Sequence, residues 1–250
     1  MNIGLYQSAS AMSAIERWQD AVSQNITSAQ VNGFKRRTVG MGAENKGELS
    51  INADPATGAS GESMPMLFPQ SRYSISYIAG ENKPTRRDLD LAISGPGFFT
   101  LRKPDGGTAY SRAGEFRIRN DRVLVNSQGF EVLNDSGEPV KLTAKGGVPI
   151  VQADGLIRQE GNIIGRLSIE APANPDKMVS LPSGIFLADE SAGMAVVEKP
   201  FVQQGYLEAS NVAPLREMVD MVSIARAYEA NQKLIQNRDK MMERTLETFS

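Results

Sequence analysis

Helical periodicity occurs at the two ends of this 250-residue chain and nowhere between them, and that division limits the folds open to it. Counting in sevens from Leu5 gives Leu5, Met12, Gln19 and Ile26, and an offset of three adds Ser8, Ile15, Val22 and Ala29. The pattern predicts an amphipathic helix from about Asn2, as N-cap, to about Ala29. Asn32-Gly33 then supplies a left-handed stop. A second helix is predicted from about Asn211 to Phe249, with Pro214 tolerated in a first turn that needs no intrahelical donor. At ~1.5 Å per residue it reaches roughly 50 Å. Its series Met221, Tyr228, Ile235, Met242 and Phe249 interleaves with Met218, Ala225, Gln232, Asp239 and Leu246, so one face needs a partner.

The middle of the chain is different in kind. Residues 38–70 are rich in Gly, Ser, Ala, Asn and Pro without a sustained period, the composition of an irregular connector. From Arg72 onward, short apolar or alternating runs such as Leu89 to Ile93, Phe98 to Leu101, Phe116 to Ile118 and Ile185 to Leu187 are cut by turn residues. Pro104-Asp105-Gly106-Gly107 and Asn134-Asp135-Ser136-Gly137 are two of these turns. The predicted class is α+β: a central all-β domain inserted between N- and C-terminal amphipathic helices that pair as a coiled-coil-like layer. The expected organisation is a first helix in residues 1–36, an irregular connector in 37–71, an all-β domain in 72–206 and a second helix in 207–250.

Composition removes much chemistry. With no Cys and no His there is no disulfide, no thiolate nucleophile, no Ser-His relay and none of the usual soft-metal ligands. Twenty-seven basic against 29 acidic residues leave a formal charge of −2, so no global field draws the chain to nucleic acid or anionic lipid. No run of eighteen apolar residues occurs, and Met1 to Ser10 lacks the basic and apolar regions of a signal peptide. The expectation is no direct membrane insertion and no cleaved secretory signal.

The local motifs read as structure. Gly95-Pro96-Gly97-Phe98-Phe99-Thr100 begins like a dinucleotide fingerprint, but Thr100 replaces the third glycine and no helix follows, so a tight turn feeding an aromatic strand is expected. Asp88 and Asp90 flank Leu89 and read as charges pointing outward from an edge strand. Asp135 to Glu138 lacks the remaining ligands of a calcium loop. Lys35-Arg36-Arg37 and Arg86-Arg87 read as solvated charge, and Met12, Met218, Met221, Met241 and Met242 as packing. No catalytic residue, metal site or cofactor is implied.

Four segments in order carry a resemblance. They are Gln24-Asn25-Ile26 leading to Asn32-Gly33-Phe34-Lys35-Arg36, Asp88 to Phe99, Tyr110-Ser111-Arg112-Ala113-Gly114-Glu115-Phe116, and Gly205 to Val212 continuing into Arg226 to Lys233. Together they resemble the bacterial flagellar rod and hook protein family. The motif residues carried over are Asn25, Gly33, Phe34, Asp90, Gly95, Gly97, Phe98, Phe99, Tyr110, Arg112, Gly114, Phe116, Ser210 and Asn211. Departures are Thr27 to Val31, where the family has alanine, asparagine and threonine, and Ser111 in place of threonine. Tyr6 and the short length resemble the proximal-rod members, and Arg226 to Asn231 resembles the distal-rod members equally.

The resemblance implies a structural subunit, not an enzyme. It would polymerise helically into a hollow tube across the periplasm, within the flagellar basal body, transmitting torque from motor to hook and passing export substrates. Implied partners are copies of itself, homologous rod and hook subunits, and the flagellar type III export apparatus. The expected assembly interface is Leu5, Met12, Ile15, Val22 and Ile26 with Met218, Met221, Ala225, Tyr228, Ile235, Met242, Leu246 and Phe249. Two other classes compete. One is a β-domain that binds or cleaves cell-wall glycan with Asp88, Asp90 or Glu115 as carboxylates, which a single Trp, Trp18, supports poorly. The other is a secreted coiled-coil adhesin or translocator.

Overall fold

The structure, a computed structural model, describes residues 3–51, 62–143, 146–181 and 183–248. The chain divides into two compact units. The first holds residues 1–24, 37–74 and 214–250, and the second holds 25–36 and 75–213.

The first unit contains α1 (Ile3–Thr27), β1 (Arg37–Ile51) and β2 (Glu62–Ile75), and the long C-terminal helix Pro214–Thr248. Both helices stand within three residues of their predicted bounds, and Asn2 and Phe249 lie outside the described residues. The irregular connector is corrected: β1 and β2, of 15 and 14 residues, form a two-stranded sheet. Glycines and prolines mask the alternation here, yet each strand of a two-stranded sheet has one unpaired edge, where Pro65 and Pro69 remove no ladder hydrogen bond. The free edge of β2 is covered by α1. Gln7 Nε2 donates to Leu67 O at 3.1 Å, Ser10 Oγ to Pro69 O at 2.7 Å and Arg17 Nη1 to Ser71 O at 3.4 Å. Carbonyls two residues apart share one strand edge and donors at positions 7, 10 and 17 share one helix face, so the two periods match.

The second unit is all-β. Its first strands are β3 (Asn82–Pro84), β4 (Leu91–Ile93), β5 (Phe98–Arg102), β6 (Thr108–Ser111), β7 (Phe116–Ile118), β8 (Leu124–Asn126) and β9 (Glu131–Val132). There follow β10 (Ile150–Val151), β11 (Leu156–Gln159), β12 (Asn162–Arg166), β13 (Ile169–Pro172), β14 (Met178–Ser180) and β15 (Ile185–Ala188). Last come β16 (Met194–Val196), β17 (Val202–Gln204) and β18 (Tyr206–Glu208), and the C-terminal helix is α2. The main sheet runs β14-β15-β6-β5-β9-β8-β7, with β13 paired to β5 and β16. Strands β10 to β12 form a small antiparallel sheet, and the late strands β17 and β18 return to pair with the early strands β4 and β3.

Adjacent residues of β5 serve opposite faces of the sheet, which is why Phe98-Phe99 is not an alternating pair. Phe99 enters the main core with Leu91, Leu101, Phe116, Leu124, Val132, Ile157 and Ile169. Phe98 enters a second cluster with Tyr110, Met178, Phe186 and Ala192. The predicted turns are present: Lys103 N donates to Gly107 O at 2.8 Å, and Gly106, Gly137 and Gly155 have positive φ.

Candidate assembly interface

The segment that follows α1 and the segment that precedes α2 are held side by side in the second unit. After Thr27 the chain makes short turns, and Gly33 takes φ +68°. The N–H of Gly33 donates to Glu208 O at 2.7 Å, and a Cβ on Gly33 would lie 2.3 Å from Ala113 N. Only glycine lets these three stretches of backbone approach so closely. Phe34 beside it is buried. Asn211 continues the join: its Oδ1 accepts from Arg36 N at 2.6 Å, and its Nδ2 donates to Ser76 O and Ile78 O at 2.9 and 2.8 Å. Ser210 caps the turn, its Oγ accepting from Val212 N at 3.3 Å.

A buried charge cluster lies at the centre. Lys35 Nζ donates to Glu208 Oε1 at 2.6 Å and to Ile78 O at 2.9 Å, and Gly80 N donates to the same carboxylate oxygen at 2.8 Å. Arg112 Nη1 stands 3.6 Å from Glu208 Oε2. Arg112 also donates to Ile93 O at 3.1 Å and to Gly95 O, and its guanidinium lies over the Phe98 ring. Burial holds the Lys35 ammonium and the Arg112 guanidinium below their ordinary pKa, and Glu208 opposes that in both. The reading of Lys35 as solvated charge is therefore corrected: folding brings a carboxylate to it, and a paired ammonium can be buried. Arg37 is half-buried and donates to Gln24 Oε1 in the first unit.

The remaining motif residues hold backbone geometry. Gly95 and Gly97 have φ +117° and +115°, and a Cβ on Gly97 would lie 2.8 Å from Ile169 Cγ2. Gly114 keeps a negative φ, but a Cβ there would lie 1.7 Å from Leu91 O, whose residue's N–H bonds Gly114 O at 3.0 Å. Phe116 packs edge-on against Phe99, and Tyr110 OH donates to Glu170 Oε2 at 3.1 Å. Asn25 is fully buried on α1.

Two of the three carboxylates of the glycan-cleaving alternative are held by other groups. Asp88, Asp90 and Glu115 line one open cleft of about 600 Å³ with Arg86, Arg87 and Arg117. Asp90 does not point outward from an edge strand as expected. It is buried, and both oxygens accept from Arg87 at 2.8 Å. Glu115 accepts from Asn32 Nδ2, and Asp88 is exposed.

The expected helix stripes are partly redrawn. On α1, Ile15 and Val22 are buried, Met12 and Ile26 half-buried, and Gln19 exposed; Ala14 and Ala21 share the covered face. On α2, Met221, Tyr228 and Ile235 are half-buried on the same face as buried Glu217 and Ile224, whereas Met218 and Ala225 are exposed. The side chains of Leu5, Met242 and Leu246 lie outside the described residues, as does Phe249. Of a second apolar stripe the sequence reading named only Met218. Leu215, Met218, Val219 and Val222, at helical positions i, i+3, i+4 and i+7, are 80, 51, 65 and 54% exposed. The spacing was visible in the sequence, but which of two apolar stripes is covered depends on packing.

The chain is similar to flagellar proteins along its length. A family model described as the flagellar basal body rod FlgEFG protein C-terminal region matches residues 203–248, and one described as the flagellar hook protein FlgE/F/G D1 domain matches residues 92–178. The flagellar basal-body rod protein FlgF of Caulobacter vibrioides is 28% identical over 99% of this chain and 98% of that protein. Rod proteins FlgG of Borreliella burgdorferi and Bacillus subtilis are each 30% identical, over 95% of both chains and 96% of both chains respectively. The buried glycines and the charge cluster lie largely within the matched segments, and with this identity over nearly the whole length the chain belongs to the flagellar basal-body rod protein family.

Proposed function

We propose that this chain is a structural, non-enzymatic subunit of the bacterial flagellar rod. It polymerises helically with copies of itself and homologous subunits into a hollow tube that transmits torque from motor to hook and conducts export substrates. The terminal segments 1–36 and 207–250 pair as its helical layer, and residues 72–206 make up an all-β domain. It reaches the basal body through the flagellar export apparatus. Assignment to the proximal rod rests on Tyr6.

The observation that carries the reading is the exposed stripe Leu215, Met218, Val219 and Val222 on α2, on the side away from Glu217 and Ile224. Burying one such side chain fully contributes about 1.5–3 kcal/mol gross. A repeated contact between two different faces generates an open helical polymer. The test is electron microscopy of the concentrated purified chain, together with motility of cells lacking the gene and complemented with it. Filaments or rings and restored motility are expected. A chain that stays monomeric and leaves motility unrestored would overturn the reading.

A further inference from the structure

Asn32-Gly33 is the only Asn-Gly pair in the chain. An asparagine followed by glycine has a side-chain amide unusually open to attack by the next backbone nitrogen, because glycine has no Cβ to hinder the approach. In the folded second unit that nitrogen is occupied: the Gly33 N–H donates to Glu208 O at 2.7 Å. The Asn32 side chain is half-buried and held as well, its Nδ2 donating to Glu115 Oε1. Gly33 is fixed at φ +68°, and one added carbon on its Cα would lie 2.3 Å from Ala113 N and 2.4 Å from Arg112 C. Both reacting groups are thus tied to partners from distant parts of the sequence, which meet them only once the unit has folded.

We propose that Asn32 is a self-modification site, open in the unfolded chain and closed by folding, and that the modified chain no longer joins the segment after α1 to the segment before α2. In the unfolded chain the Gly33 nitrogen loses its proton to hydroxide and attacks Asn32 Cγ. The N–Cγ bond forms, the Cγ–Nδ2 bond breaks, and Nδ2 takes a proton from water and leaves as ammonia. Water then opens the cyclic imide at either carbonyl and gives aspartate or isoaspartate. The net change is one water consumed and one ammonia released, with no oxidant or cofactor. Aspartate sets a second carboxylate against Glu115 where an amide donor stood. Isoaspartate lengthens the main chain by one carbon immediately before Gly33, whose backbone has no space in which to shift. Both products oppose the join, so time spent unfolded is recorded irreversibly. The site goes beyond the rod reading and does not depend on it.

The experiment holds the full-length protein at mildly alkaline pH, folded in buffer and unfolded in guanidinium chloride, and follows residue 32 by peptide mass spectrometry. Modification should be at least roughly tenfold faster in the unfolded sample, since the folded unit must first open to react. Equal rates in the two samples, or an unmodified Asn32 in denaturant, would overturn the site. The aged wild type is then diluted from denaturant, and its folded and non-folded fractions are separated by size exclusion. Asn32 should be intact in the folded fraction and converted in the other. An even distribution of the products would overturn their effect on the join. Asn32→Gln, whose longer side chain would have to close a larger ring, should keep its own undelayed refolding yield after any time in denaturant. A decline as steep as that of wild type would show that residue 32 is not the cause.

Discussion

Lys35 and Glu208, separated by 173 positions, form an ion pair of 2.6 Å in which each side chain is 1% exposed. The pair ties the segment leaving α1 to the segment entering α2. It also makes each dependent on the other, since neither charge can be buried alone without a large desolvation cost.

Glu208→Gln should therefore destabilise the second unit by about 3–5 kcal/mol, because it leaves two buried cations facing a neutral amide. Lys35→Met should cost less, since Glu208 then still faces Arg112. Urea unfolding of both variants gives the ranking, and a Lys35→Met variant less stable than Glu208→Gln would contradict it.

The glycines should rank by what surrounds them. Gly95→Ala meets no neighbouring atom and suffers only its positive φ, costing about 1 kcal/mol or slightly more. Gly114→Ala has no positive φ, but its methyl would overlap a backbone carbonyl that cannot rotate away, so a loss above about 3 kcal/mol is expected. Melting temperatures of the two variants measure the difference.

Alkaline unfolding should report Tyr77. Burial, with Asp176 nearby, pushes its phenol from 10.0 up to about 12. For an acid whose folded pKa is raised, the stabilising contribution is complete below pH 10 and is lost as pH rises through about 12. Tyr77→Phe should flatten the fall in stability across that window while removing the hydrogen bond to Pro175 O at neutral pH. An unchanged slope between pH 10 and 12 would show that another group carries it.

On α2, Val219→Asp should prevent assembly and leave the circular dichroism spectrum of the monomer unchanged, since the residue is exposed until a neighbour covers it. Ile224→Asp should instead lower monomer stability, because that side chain is already buried. Lys240→Asp, on an exposed stretch beyond the apolar stripe, should do neither. Sedimentation velocity with thermal melts separates the three outcomes.

Local order was legible where one residue type or one period decides the conformation. The 3.6-residue period delimited α1 and α2, and turn chemistry at Pro104 to Gly107 and Asn134 to Gly137 cut the strands of the second unit. Gly33 and Gly97 were recognisable as backbone positions because no other residue adopts their φ without strain. Residues 37–51 and 62–71 read as a connector because their glycines and prolines obscure the strand period. Their order depends on backbone pairing and on Gln7, Ser10 and Arg17, which lie up to 60 positions away.

The sequence by itself determined the division into helical ends and a turn-punctuated β middle, and it carried the motifs that mark the family, because each of these is a local pattern. Tertiary structure alone decided that Lys35 is buried and paired, that Asp90 is held by Arg87, and that Val219 faces solvent while Ile224 does not. Burial and charge pairing are properties of whichever group the fold brings close. A lysine written in a basic run carries no mark of the glutamate that will meet it from the other end of the chain.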